Sequence, residues 1–160
     1  MTVVSDTSPL SALARLGLLH LLPALYREIV VPASVAREAS HPNAPADLQQ
    51  WIGALPAGVT IIPDPTPLLA EVLELDPGEA AAITLAHRLP GETLLLVDDR
   101  AARSVCAALQ IPHTGTAGLL LAAANAGMIE FQEVISRLQK TPFRLSESVV
   151  ADLVRRLNQP

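Results

Sequence analysis

The sequence contains very few of the residues on which several common functional classes depend. Cys106 is the single cysteine, which excludes both a disulfide framework and a cysteine-based metal site. Four residues are aromatic, and Lys140 is the only lysine in a chain with 16 acidic and 11 basic residues. The formal charge of −5 and the scattered arginines argue against a protein that holds long nucleic acid by charge alone. Any contact with nucleic acid is therefore expected to be local, brief or assisted by a metal ion.

Signals for secretion and for membrane insertion are also missing. Asp6 comes before any apolar run is established, which differs from the layout of a signal peptide. The longest nearly uncharged stretch, 114–129, is about one helical turn short of a bilayer span. Half of the residues are hydrophobic, which excludes intrinsic disorder. We therefore expect one domain over residues 1–160, in the cytoplasm and without a membrane partner.

Strand-like segments alternate with helix-like segments along the chain. Short β-branched or aliphatic runs predict strands at 2–5, 29–31, 59–62, 93–97 and 110–113. Helices are expected between them, including one capped by Ser8 and one over residues 68–75, and three helices close the chain. This alternation is typical of a doubly wound α/β domain with a central parallel sheet and helices on both faces.

The acidic residues fall where such a fold binds ligands. Asp6 follows the first strand, and Asp98 and Asp99 follow the strand at 93–97, so both points lie at the carboxyl edge of the sheet. Glu38 and Glu79 lie in helices that follow the second and third strands. Converging carboxylates repel one another unless a cation is present, and oxygen ligands suit Mg²⁺ or Mn²⁺. A divalent ion beside a cleft is equipped for phosphodiester hydrolysis.

Asp6, Glu38, Glu79 and Asp98 also have ordinary structural explanations, which for Glu38 is a solvated position on its helix. Asp76 and Glu79 have the spacing of a capping box around Pro77. Asp98 could cap the following helix, and Asp6 could form an Asx turn with Ser8. The spacing of the acids suggests a shared site but leaves both interpretations open.

Several segments resemble those of PIN domains, beginning with the strand that delivers Asp6-Thr7-Ser8. The matching segments are residues 4–10, 31–38, 75–83, 95–103 and 114–120, of which 75–83 and 114–120 resemble an uncharacterised prokaryotic subgroup of the family. The resemblance implies a small doubly wound α/β fold and nuclease activity on single-stranded RNA with Mg²⁺ or Mn²⁺. It also implies two partners found for many members, an antitoxin protein in VapC-type toxin–antitoxin pairs and a second copy in a homodimer.

The resemblance assigns roles residue by residue. Asp6, Glu38 and Glu79 match the first three acids, although common toxins have Asp where Glu79 stands. The fourth acid is Asp99 in the usual toxin pattern and Asp98 in the subgroup pattern, so both are kept as catalytic and metal-binding candidates. The residues expected to orient a carboxylate or hold a phosphate are Thr7, Ser8, Arg100, Arg103 and Thr116.

Three functions are compatible with these residues. The first is a metal-dependent ribonuclease, and the alternative is a non-catalytic PIN-like module that binds RNA or a protein. A phosphatase-like hydrolase ranks low, because Asp6-Thr7-Ser8 lacks a second Asp two residues after the first. A homodimer is expected on the closing helices, which carry an apparent excess of apolar side chains at Leu119, Leu120, Leu121, Ile129 and Val134.

Overall fold

The computed structural model describes residues 1–157, in which strands and helices alternate. The strands are β1 (Thr2–Ser5), β2 (Glu28–Pro32), β3 (Val59–Ile62), β4 (Thr93–Leu96) and β5 (His113–Thr114). The helices are α1 (Thr7–Leu16), α2 (Leu21–Leu25), α3 (Ala33–Ala39), α4 (Ala46–Gly53), α5 (Pro77–Arg88), α6 (Arg100–Ala108), α7 (Thr116–Asn125), α8 (Phe131–Leu138) and α9 (Glu147–Arg156). The last three residues of the predicted 1–160 domain lie outside the described part.

All five strands belong to one parallel sheet in the order β3-β2-β1-β4-β5. In the centre, Val3 of β1 pairs with Ile29 on one side and with Leu94 on the other. Because every strand runs in the same direction, all five carboxyl ends lie at one edge of the sheet. The predicted α/β fold with a parallel sheet is confirmed.

Helices cover both faces of the sheet, as predicted. Val3 and Val31 point to the larger core cluster, which contains buried residues of α1, α3, α7 and α8. Val4 and Val30, one position away, point to the second cluster with α5 and α6. This alternation follows from the two-residue period of a strand, and burial on both faces explains why the central positions of β1, β2 and β4 are aliphatic.

Two predicted helices differ from the structure. The first helix begins at Thr7 with Asp6 in the cap position, so Ser8 lies inside the first turn and does not cap it. Pro9 is tolerated there because the first N–H groups of a helix have no partner within the helix. The helix expected over 68–75 is wrong: only a 3₁₀ turn forms, at Ala70–Val72. Prolines before it and Pro77 after it leave too short a segment for a stable α-helix.

The apolar patch expected on the closing helices is also wrong. Leu119, Leu120, Leu121 and Val134 are all 6% exposed or less, because they belong to the larger core cluster, and Ile129 is half-buried against the same cluster. These side chains are therefore needed within one copy of the chain and are not available as a dimer surface. Within residues 1–157, no helix combines the length and the apolarity that crossing a membrane requires.

Candidate active site

The sheet order places a crevice beside β1. Connections from β1 lead first to β2 and β3 on one side and then return across to β4 and β5 on the other. Ligands of open α/β sheets bind at such a switch point, outside the carboxyl ends of the strands. Asp6 stands at this point, and its backbone N–H donates a 3.0 Å hydrogen bond to the Leu96 carbonyl oxygen of β4. Asp98 follows the same strand, so the chain brings these two acids to one edge.

Asp6 is the buried centre of the site. Its side chain is 4% exposed and makes no capping hydrogen bond with α1. The pKa of Asp6 is raised to about 7, mainly by burial and in addition by the neighbouring carboxylates of Glu79, Glu38 and Asp98. A hydrogen bond from the Thr7 backbone N–H opposes this rise. Four of the five predicted acids therefore act on one another at this point, and the Asx turn considered for Asp6 with Ser8 is not what holds it.

Glu38 and Glu79 reach the site from α3 and α5. Thr7 Oγ1 donates a hydrogen bond to Glu38 Oε2, which fixes the glutamate beside Asp6. A Cβ atom on Gly78 would lie 2.7 Å from Glu38 Oε1, so the bare glycine backbone lets this carboxylate approach α5. Glu79 lies next to it and shares with Asp6 a pocket of about 220 Å³. The pocket is lined by Asp6, Thr7, Ser8, Glu38, Asp76 and Glu79, which we name the carboxylate pocket.

Glu79 combines a capping contact with a place in this pocket. Its pKa is raised to about 7, mainly by burial and in addition by the charges of Asp99 and Asp76. A hydrogen bond from the Asp76 backbone N–H lowers it, and this contact is one half of the predicted capping box. The other half is missing, because the Asp76 side chain makes no capping bond. The Asp76 carboxyl instead lines the carboxylate pocket, a role that the sequence analysis did not assign to it.

Asp98 and Asp99 have different structural roles. Asp98 Oδ1 accepts a 2.7 Å hydrogen bond from the Thr116 backbone N–H. Its Oδ2 accepts from Thr116 Oγ1 at 2.7 Å and from Ser8 Oγ at 3.0 Å. Asp99 is the N-cap of α6 and accepts from the Ala102 N–H at 2.9 Å, so the cap predicted for Asp98 belongs to Asp99. Asp98 is thus the acid that the fold holds rigidly beside Asp6.

The other predicted residues divide into two groups. The hydroxyl groups of Thr7, Ser8 and Thr116 each donate to a carboxylate of the site. Arg103 lies near Asp98, since a Cβ on Gly115 would contact the Asp98 carboxylate at 2.7 Å and Arg103 Nη1 at 3.6 Å. Arg100 is exposed at the start of α6, and among residues 1–157 it makes no ion pair or side-chain hydrogen bond. The geometry therefore connects Arg103, but not Arg100, with the acids.

The donor set suits a hard divalent cation in its chemistry. Only carboxyl and hydroxyl oxygens are presented, and no basic side chain lines the carboxylate pocket. Within residues 1–157, however, no three His, Cys, Asp or Glu side chains stand in an arrangement ready to hold a metal ion. Mg²⁺ keeps several water ligands in proteins, so one or two carboxylates completed by water are enough to bind it.

A family comparison agrees with this geometry. A family model described as a PIN domain matches residues 2–159. No curated protein and no solved structure shows significant similarity to the chain. PIN domains are generally nucleases, and the parallel sheet with acids at its carboxyl edge is the arrangement expected of one. The chain belongs to the PIN-domain family.

Proposed function

We propose that the chain is a metal-dependent endoribonuclease that hydrolyses phosphodiester bonds of single-stranded RNA. The observation that carries this proposal is the buried carboxyl of Asp6, surrounded by Glu38, Glu79 and Asp98 with no basic side chain lining the same pocket. In a purely structural role the buried Asp6 would be paired with a basic side chain, because unpaired buried charge is costly. A site built to receive Mg²⁺ or Mn²⁺ explains why no basic side chain lines this pocket.

The residues of the chain have separable tasks in this proposal. The carboxylates of Asp6, Glu38, Glu79 and Asp98 are the candidates to hold the ion, two at a time with water completing its shell, and the ion would lower the pKa of a bound water and stabilise charge on the phosphate. The Thr7 hydroxyl orients Glu38. The Thr116 hydroxyl and backbone N–H hold Asp98 by both of its oxygens. Asp99 supports the site by capping α6, so we assign the fourth acid of the pattern to Asp98.

The alternative is a PIN-like module that binds RNA or a protein without cleaving it. The lack of a preformed metal cluster within residues 1–157 and the net charge of −5 favour this candidate. Incubation of the purified protein with a mixed single-stranded RNA pool separates the two. The nuclease proposal expects fragments with Mg²⁺ or Mn²⁺ and none with a chelator, whereas intact RNA under every metal condition supports the binding module.

The remaining proposals concern partners and location. RNA is the proposed substrate, and a cytoplasmic location places the enzyme with it. A toxin role with an antitoxin partner is tested by the neighbouring reading frame, where a short DNA-binding protein directly upstream is expected. The proposed homodimer rests on the family resemblance alone, since the closing helices are buried within one copy. Sedimentation at micromolar concentration measures that assembly directly.

A further inference from the structure

A larger pocket opens beside the carboxylate pocket and has Asp98 in its wall. Its volume is about 640 Å³, within the range of roughly 300–1,000 Å³ that is usual for small-ligand sites. Its walls come from α6, β5, the beginning of α7, and the segment that runs from Phe143 through α9. We name it the arginine pocket, after Arg103, Arg144 and Arg156 in its lining.

The arginine pocket has more basic than acidic side chains in its lining, whereas the carboxylate pocket has no basic side chain. Three arginines face two acids, Asp98 and Asp152, in its lining. Within residues 1–157, Arg103 makes no ion pair, and Arg156 reaches Asp152 only at 4.0 Å with both side chains more than half exposed. Such exposed pairs are weak and are readily exchanged for a phosphate. The pocket is therefore suited to an anion adjacent to the acids.

Arg144 is held in place by its own loop. Its Nη1 donates to the carbonyl oxygens of Gln139, Thr141 and Phe143, and these are its side-chain hydrogen bonds among the described residues. This anchoring limits the freedom that the guanidinium would lose on binding a ligand, and hence the entropic cost of binding. Arg144 thus presents a positioned positive charge at the mouth of the pocket.

The same pocket offers groups that recognise a nucleobase. Phe143 is half-buried in its lining and provides an aromatic ring. His113 Nδ1 hydrogen-bonds the Ile111 carbonyl oxygen at 2.8 Å, which leaves Nε2 as the ring nitrogen for a ligand. Aromatic rings and arginines side by side are the features on which single-stranded nucleic acids stack and bind.

Gly115 lies between Asp98 and Arg103 in the wall of the arginine pocket. A Cβ at this position would lie 2.7 Å from the Asp98 carboxylate and 3.6 Å from Arg103 Nη1, so the bare glycine backbone leaves room for these two side chains to lie close together. We propose that the arginine pocket binds the nucleotide adjacent to the cleaved bond, with its base on Phe143 and its phosphate on Arg103. The part of this inference that places the nucleotide next to the cleaved bond rests on the proposed ribonuclease function. Nucleotide binding itself can be measured without cleavage.

The direct test is equilibrium dialysis of the protein against 5′-AMP or 5′-UMP in the presence of a chelator, with inorganic phosphate as the comparison probe. Phe143→Leu should weaken nucleotide binding about five-fold or more and leave phosphate binding unchanged. Arg103→Gln should weaken the binding of both probes, about ten-fold for a lost charge-assisted contact. Arg27→Gln is the matched control, since it removes an exposed arginine just before β2, at the opposite edge of the sheet.

Each outcome decides one question. Nucleotide binding that is absent, or equal in the wild type and both variants, overturns the inference, and melting curves verify that the variants are folded. If the wild type cleaves RNA, each variant should raise the KM for RNA by about the same factor by which it weakens nucleotide binding. An unchanged KM also overturns the inference. If the wild type binds nucleotides as expected but leaves RNA intact, the proposed ribonuclease function fails and the arginine pocket stands.

Discussion

Replacing Asp6 with asparagine should make the metal-free protein more stable while it abolishes RNA cleavage. Burial, together with the neighbouring carboxylates, raises the pKa of Asp6 from 3.8 to about 7, so ionising this group in the folded protein is unfavourable. At about 1.4 kcal/mol per pKa unit, the cost at pH 8 is about 4 kcal/mol. The amide of asparagine carries no charge, but burying it away from water still costs about 1–2 kcal/mol. We therefore expect Asp6→Asn to stabilise the metal-free protein by about 2–3 kcal/mol at pH 8.

Thermal melts in chelator measure this difference. For a chain of this size, about 1 kcal/mol corresponds to roughly 2–4 °C, so Tm should rise by about 4–12 °C. The gain should shrink at pH 5, where the Asp6 carboxyl is protonated in the folded wild type. Adding Mg²⁺ should raise the Tm of the wild type and leave that of the variant nearly unchanged, because a ligand that binds only the folded state stabilises it.

The exposed Asp47, in the first turn of α4, provides the matched control. Asp47→Asn removes one charge with the same chemistry and should change stability by well under 1 kcal/mol, with cleavage retained. The reasoning is refuted if Asp6→Asn destabilises the metal-free protein at pH 8, because the acid would then be held by favourable contacts. It is refuted equally if the variant cleaves RNA as fast as the wild type.

Three further outcomes are expected. Thr116→Val should destabilise the protein by about 1–3 kcal/mol and reduce cleavage, because it removes a hydroxyl group that donates to the Asp98 carboxylate. Thr116→Ser keeps this hydroxyl group and should retain the stability and the cleavage of the wild type in melts and RNA assays. Asp99→Ala should lower the free energy of unfolding by about 1 kcal/mol, because it removes the N-cap of α6. Asp99→Asn should melt and cleave like the wild type. A loss of cleavage in Asp99→Asn would assign this acid to the chemistry. The metal-free wild type should lose stability as the pH rises from about 4 to about 7, because the raised pKa values of Asp6 and Glu79 mean that the folded state binds more protons than the unfolded state; melts across this range check the sign.

The fold and the position of the acids could be predicted because their signals are local. Uninterrupted aliphatic runs such as Val3-Val4 and Val30-Val31 indicate strands buried on both faces, and the topology rule then places Asp6 and Asp98 at one edge. The assignment of the helix cap to Asp99 could not be predicted in the same way. Two adjacent acids before a helix differ only in which one turns towards the site, and this depends on Thr116, far away in the sequence.

The arginine pocket could not be predicted from the sequence at all. Arg103 and Phe143 are separated by forty positions, and neither lies in a basic or aromatic run that would predict nucleic-acid binding. They come together because α9 and the segment before it pack beside the beginning of α7. The burial of Leu119 and Leu120 was missed for the same reason, since the sequence does not reveal how much core the sheet demands.

The distribution of the acids along the chain has a consequence for how such an enzyme is made. The site draws on segments from residue 6 to residue 116, and Asp98 acquires two of its three hydrogen bonds only when Thr116 is in place. During synthesis from the N-terminus, a growing chain cannot assemble this site before β5 and the start of α7 have joined the sheet. An enzyme translated from single-stranded RNA would thereby stay inert towards its own message until most of the polypeptide has been completed.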